Sequence, residues 1–275
     1  MAKHEARVAV VTGGGRGLGR AIALGLAGAG ARVAVVARGR EQLAETVALG
    51  AAAGGEILDL PCDVSDPAAV AELKTAVEER LGRVSILVNA AGVFGPIALI
   101  REVDPLEWQR TIIIDAVAPL FTARAFLDGM LEQGWGRIVN VTSAAALHPP
   151  GPLNSAYGTA KAALNQMTRH LAAEIAGTGV TANVIHPGDV KTEMWADIKR
   201  RVAGTGPAGE NYISWAEWVE ETGGDPPDKA VDLVLRLTSD AGAETNGMFC
   251  WIDEPLQAPV DSWDPPTDER PWMQD

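Results

Sequence analysis

From its start to about residue 252 the chain alternates short apolar runs with longer amphipathic stretches. Residues 7–11, 32–36, 57–61, 84–89, 137–142, 181–186 and 248–252 are brief, aliphatic and often β-branched, the pattern of strands buried on both faces. Between them, residues 18–29, 41–53, 67–80, 155–176 and 228–239 repeat their apolar positions at helical spacing. Residues 105–133 read as one long helix or two broken ones. Asp66, directly before Pro67, reads as a helix N-cap. Strands regularly separated by helices predict parallel pairing with right-handed crossovers. The expected architecture is therefore α/β: a doubly wound parallel sheet of about seven strands, helices on both faces, and ligands beyond the carboxyl ends of the strands. Residues 190–225 break the alternation and read as a flap, and the Pro- and Asp-rich stretch from 255 to 275 reads as an irregular tail. The expectation is one domain over residues 1–254 with a tail appended.

Composition narrows the picture. With 275 residues and 47% hydrophobic positions the chain can bury a large single core. Its formal net charge of −13 leaves no overall basic footprint for nucleic acid, so any anion must be held by individual arginines. Cys62 and Cys250 belong to no pair or cluster with metal-ligand spacing, so no metal site is expected and both read as reduced thiols. The amino-terminal segment lacks a signal-peptide pattern and no apolar run approaches a bilayer span. The expectation is a soluble cytoplasmic protein without membrane or nucleic-acid partners.

The first strand runs into Thr12-Gly13-Gly14-Gly15-Arg16-Gly17-Leu18-Gly19, and a helix follows. Glycines let a turn close tightly and bring backbone amides near a pyrophosphate, while the helix N-terminus adds positive potential. Dinucleotide sites that take NAD place a carboxylate after the second strand for the ribose hydroxyl. Here no Asp or Glu lies between Arg32 and Arg40. Arg16 and Arg38 can instead hold a 2′-phosphate through charge-assisted bonds, so NADP(H) is expected over NAD(H).

Further motifs join this turn. Asp63-Val64 follows the third strand, Asn89-Ala90-Ala91-Gly92 the fourth, and Ser143 the fifth. Tyr157-Gly158-Thr159-Ala160-Lys161 lies in the long helix, and Pro187-Gly188-Asp189-Val190-Lys191-Thr192 follows the sixth strand. Together they resemble the short-chain dehydrogenase/reductase family over about residues 8–252. The resemblance implies a Rossmann fold and hydride exchange between a nicotinamide and a carbonyl or alcohol substrate. It implies that Asp63 and Val64 contact the adenine, and that Asn89, Ala90 and Gly92 steady the sheet and line the cofactor groove. Pro187, Gly188, Val190 and Thr192 would then meet the nicotinamide end, with Thr192 at its carboxamide. Lys161 would also bond the nicotinamide ribose. A homodimer or homotetramer is implied as well.

The chemistry of the residues agrees. Tyr157 and Lys161, four apart on one helix, share a face. A neighbouring ammonium and an oxidised nicotinamide favour a phenolate and are expected to lower the Tyr157 pKa. Tyr157 is then the acid in reduction and the base in oxidation, and Ser143 holds the substrate oxygen. One departure from the family stands out: aligned from Glu107-Trp108, Asp115 takes the place of an asparagine that supports a water-linked relay to the lysine. An ionised Asp115 would pair with Lys161, raise its pKa and weaken the positive field on Tyr157.

The pocket above the nicotinamide is expected from residues 95–97, 145–153, Asp189 and the flap from Met194. Trp195, Tyr212, Trp215 and Trp218 in the flap suit packing, or a bulky apolar or aromatic substrate. His148 reads as lining or surface, with a second acid/base role as the alternative. Leu256, Val260 and Trp263 could pack on the same subunit or a neighbour. Two other functions stay open: reduction of an imine, in which Asp115 would assist a cationic substrate, and a catalytically silent NADP-binding sensor.

Overall fold

Alternation along single strands sets the layers. In the computed structural model, which describes residues 4, 6–147 and 151–252, Val8 and Val10 of β1 (Val8–Thr12) face one core while Ala9 and Val11 face another. Both faces are apolar, so the strand must lie between two helix layers. It is joined by β2 (Arg32–Ala37), β3 (Glu56–Pro61), β4 (Ile86–Asn89), β5 (Gly136–Val141), β6 (Val180–His186) and β7 (Phe249–Trp251). These form one seven-stranded sheet in the order β3-β2-β1-β4-β5-β6-β7, parallel throughout.

Helices α1 (Gly17–Gly28), α2 (Arg40–Ala52), α3 (Pro67–Leu81), α4 (Pro105–Ile112), α5 (Ala118–Gln133) and α6 (Ser155–Glu174) fill the connections. Three more follow: α7 (Glu193–Val202), α8 (Glu210–Thr222) and α9 (Pro227–Leu237). One layer is built on Val70, Leu73 and Val77 of α3 and Phe126 and Met130 of α5; the other on Ile22 and Leu26 of α1 and Leu233 and Val234 of α9. Asp66 caps α3 as expected, accepting the Ala68 amide at 2.9 Å, and Asp104 does the same for α4 through Leu106 at 2.8 Å. In both cases a proline with its preset φ occupies the first helical position.

The stretch 105–133 resolves the one-or-two-helix alternative in a third way. It runs continuously, but Ile113–Val117 forms a π-helical turn between α4 and α5. Such turns are frequent at functional sites, and this one carries Asp115, which is fully buried. The flap is helical: α7 and α8 pack together, and Lys191 and Lys199 both reach Glu220 across them, at 3.2 and 2.7 Å. Arg201 ties α7 to the carbonyl of Gly95 at 2.8 Å. His148 and the tail residues Leu256, Val260 and Trp263 lie outside the described residues. Among the described residues no helix is long and apolar enough to cross a membrane.

Candidate active site

Strand order reverses at β1, whose neighbours are β2 and β4, and a crevice opens there beyond the carboxyl ends of the strands. It is a cavity of about 1240 Å³ running from the glycine turn to the flap. That exceeds the roughly 300–1,000 Å³ usual for one small ligand, so two ligands can lie in it end to end.

At one end, the turn between β1 and α1 can only be built from glycine. Gly13 has φ +69°, and a Cβ there would lie 2.8 Å from the Ala90 carbonyl. At Gly19 a Cβ would fall 2.3 Å from the Gly13 carbonyl. Neighbours brace the turn: Thr46 Oγ1 donates to the Gly14 carbonyl at 3.0 Å and Arg20 to that of Gly15. Thr12 Oγ1 accepts the amides of Ala90 and Ala91 at 3.2 and 3.1 Å, fixing the β4 loop beside it. Gly13, Gly15, Arg16, Gly17, Leu18 and Gly19 line the cavity here, with Arg38 past β2. Asp63 and Val64 stand opposite; the hydrogen bonds from Ser65 hold the Asp63 carboxyl below its usual range, and Arg38 adds to this. Backbone amides, a helix N-terminus and two guanidinium groups around one open groove fit a dinucleotide phosphate chain.

Asn89 steadies the sheet, as the resemblance implies. Its side chain turns into the core, donating to Asn140 Oδ1 at 2.8 Å and accepting from Thr122 Oγ1 at 2.7 Å, while Asn140 donates onward to Thr168 at 2.8 Å. The cavity lining passes to Ala90 and Gly92. The reason is physical: a buried amide must be satisfied, and the partners face inward.

At the other end Ser143, Tyr157 and Lys161 converge. Ser143 follows β5 and caps a short 3₁₀ turn, its Oγ accepting the Ala145 amide at 3.2 Å. The Ala144 amide donates to Nδ1 of His186, the last residue of β6, at 3.2 Å. Lys161 is buried, donates to the Val141 carbonyl at 3.0 Å and pairs with Asp115 Oδ2 at 3.3 Å. The second oxygen, Asp115 Oδ1, accepts the Val93 amide at 2.9 Å. Gly92 makes room for this carboxylate, since a Cβ there would lie 3.2 Å from Oδ2.

Charge follows from this geometry. Burial works against the Lys161 ammonium, yet Asp115 and Tyr157 outweigh it and its pKa is raised. Burial raises the Asp115 carboxyl, against the pull of Lys161 and the Val93 amide. The Tyr157 phenol also moves up rather than down: the packing of protein around it dominates, Lys161 and a hydrogen bond with Ser143 oppose, and Asp115 reinforces the rise. The expected lowering is thus corrected for the protein alone, because burial and the Asp115 charge together exceed the ammonium's effect. The expected Asp115–Lys161 pair and its direction on Lys161 are present.

Pro187, Gly188, Val190 and Thr192 line the cavity between the two ends. Thr192 caps α7, its Oγ1 accepting the Trp195 amide at 3.4 Å. Glu193, which the motifs do not single out, brings its carboxylate to within 3.3 Å of the Cβ position of Gly17. Of the flap aromatics, Trp195, Tyr212 and Trp215 line the cavity, while Trp218 points outward at 47% exposure.

A doubly wound sheet with a glycine cradle at its switch point and a Ser, Tyr and Lys cluster beyond it defines a nucleotide-binding oxidoreductase scaffold. The comparisons carry this to a family. The short chain dehydrogenase family model matches residues 7–203. A short chain dehydrogenase of Pseudocercospora fijiensis (strain CIRAD86) is 37% identical over 195 residues, which cover 70% of this chain and 62% of that protein. This chain thus spans less than two thirds of that relative's length. Among solved structures, an actinorhodin polyketide ketoreductase variant with NADPH superimposes with a TM-score of 0.83 and 30% identity, covering 91% of this chain and 97% of that one. A xylitol dehydrogenase bound to NAD+ gives a TM-score of 0.82 at 26% identity, covering 91% and 98%. The chain belongs to the short-chain dehydrogenase family of oxidoreductases.

Proposed function

We propose that this chain is an NADP(H)-dependent oxidoreductase that interconverts a ketone and an alcohol. The observation that supports it most is the convergence of Ser143, Tyr157 and Lys161 on a cavity that begins at the glycine turn. When bound there, the dinucleotide supplies or accepts the hydride. Arg16 and Arg38 would hold its 2′-phosphate, the turn from Gly13 to Gly19 its pyrophosphate, and Asp63 and Val64 its adenine end. Pro187, Gly188, Val190 and Thr192 would hold the nicotinamide end, and Lys161 its ribose.

The side chains manage the proton. In reduction, Tyr157 Oη delivers a proton to the carbonyl oxygen; in oxidation, the phenolate takes the alcohol proton. Ser143 Oγ donates a hydrogen bond to the same oxygen as charge develops on it. Lys161 keeps a fixed positive charge beside the phenol, 5.5 Å from its ring centre. Asp115 acts through Lys161 as a positioning residue, in the place of the family's asparagine. Its carboxylate is sealed against Lys161 and fully buried, which removes the reason to favour a cationic imine substrate. Leu106, Leu120 and Leu131 on α4 and α5 are exposed large apolar side chains, and pairing of chains into a homodimer or homotetramer would cover them.

Tyr157→Phe tests this reading against a silent sensor. It is expected to lower kcat by about 10²–10⁴ while dinucleotide affinity stays within about twofold. Turnover equal to wild type would overturn the assignment.

A further inference from the structure

The catalytic end of the cavity is walled by rings. Phe94 packs on Tyr157 with centroids 4.9 Å apart and planes tilted by 32°, and Tyr212 meets Phe94 edge-on at 5.7 Å. Ile198 and Met194 of α7 close the same apolar cluster, with Trp215 of α8 against it. Charged partners there are already committed. Asp189 Oδ1 accepts the Trp215 indole N–H at 3.0 Å. The basic residues lining the described cavity are Arg16 and Arg38 at the far end, Lys161, held by Asp115 and Val141, and His186, whose Nδ1 faces the Ala144 amide. Among the neutral polar groups lining the cavity are Asn154, Asn211 and the Tyr212 hydroxyl, which hydrogen-bonds Asn154.

We propose that the substrate is a neutral, ring-bearing ketone or the corresponding alcohol, and that Phe94 and Tyr212 set this specificity. The proposal rests on the function proposed above and adds the class of molecule. A carboxylate or phosphate in this wall would lose its hydration with no free cation among the described residues to replace it, and Asp189 beside Trp215 would repel it. A ring gains by burial against Phe94 and Tyr212. Because Phe94 lies directly on Tyr157, a ring fused to or adjoining the carbonyl can rest on Phe94 while its oxygen meets Ser143 and Tyr157. Asn154 and Tyr212 can serve a hydroxyl or second carbonyl on that ring.

The test compares indanol, a neutral bicyclic alcohol, with β-hydroxybutyrate, a small anionic one, on the enzyme loaded with oxidised dinucleotide. Binding is read by calorimetry and turnover separately. Indanol is expected to bind at least about tenfold more tightly. Phe94→Leu, which keeps an apolar side chain, is expected to weaken indanol about fivefold and leave β-hydroxybutyrate unchanged. Tighter or equal binding of β-hydroxybutyrate, or an equal loss for both ligands in Phe94→Leu, overturns the proposal. Indanol that binds as expected but is never oxidised supports the specificity and counts against the hydride-transfer reading instead.

Discussion

Replacing Asp115 by asparagine removes one charge from the catalytic end while keeping shape and the acceptor for the Val93 amide. Asp115 Oδ2 lies 3.3 Å from Lys161 Nζ, which lies 5.5 Å from the centre of the Tyr157 ring. The carboxylate is therefore within about 9 Å of the ring, where a unit charge at an effective dielectric of about 20 acts with roughly 2 kcal/mol. Asp115 raises the Tyr157 pKa, so its removal must lower it. Lys161 loses a partner but keeps the Val141 carbonyl, and part of the effect is offset there. The net expectation for Asp115→Asn is a lower Tyr157 pKa. The assay is an ultraviolet phenolate titration, which is clean because the chain holds two tyrosines. The other, Tyr212, pushed up to about 12 by burial and by Tyr157, is replaced by phenylalanine in both samples. The same change moves the alkaline rise of alcohol oxidation to lower pH by a matching amount. An unchanged or higher Tyr157 pKa would refute the reasoning, since it would mean that Lys161 gives up its proton when its partner is removed.

Three further outcomes follow from the cofactor end. Arg38→Glu is expected to weaken NADPH about 10–100-fold while changing NADH little, because it removes a charge-assisted bond to the 2′-phosphate; a direct titration of both measures it. Gly19→Ala drives a methyl into the Gly13 carbonyl and is expected to cost about 2 kcal/mol. Thermal melting should show this as a fall of about 4–8 °C, with dinucleotide binding lost alongside. Glu193→Gln removes a carboxylate beside Gly17 and is expected to tighten dinucleotide binding about threefold, the small effect proper to an exposed charge; calorimetry reads it, and weaker binding would contradict it.

The layers and the site motifs were legible because both rest on local pattern. Strands buried on both faces are largely apolar, and the turn from Gly13 to Gly19 needs its glycines for steric reasons visible in the spelling. The Asp115–Lys161 pair was legible through the family resemblance, because alignment from Glu107-Trp108 sets Asp115 where an asparagine is linked to the lysine. The π-helical turn at Ile113–Val117 was not, because inserting one residue barely disturbs an amphipathic pattern. Nor was the direction of the Tyr157 shift, which depends on how much protein closes around the phenol. The sheet-steadying role of Asn89 came with its motif, but its partners Asn140 and Thr122 were not readable because they come from distant segments. Phe94 carried no signal at all: one aromatic after a strand reads as core until Tyr157 and Tyr212 are seen beside it.

The most direct measurement of the central claim is fluorescence titration of the purified protein with NADPH and NADH at fixed ionic strength, which requires no substrate. The account predicts that both bind and that NADPH binds at least about tenfold more tightly, as expected for one charge-assisted pair or more. Equal or tighter binding of NADH would contradict the roles given to Arg16 and Arg38, and binding of neither would contradict the account as a whole.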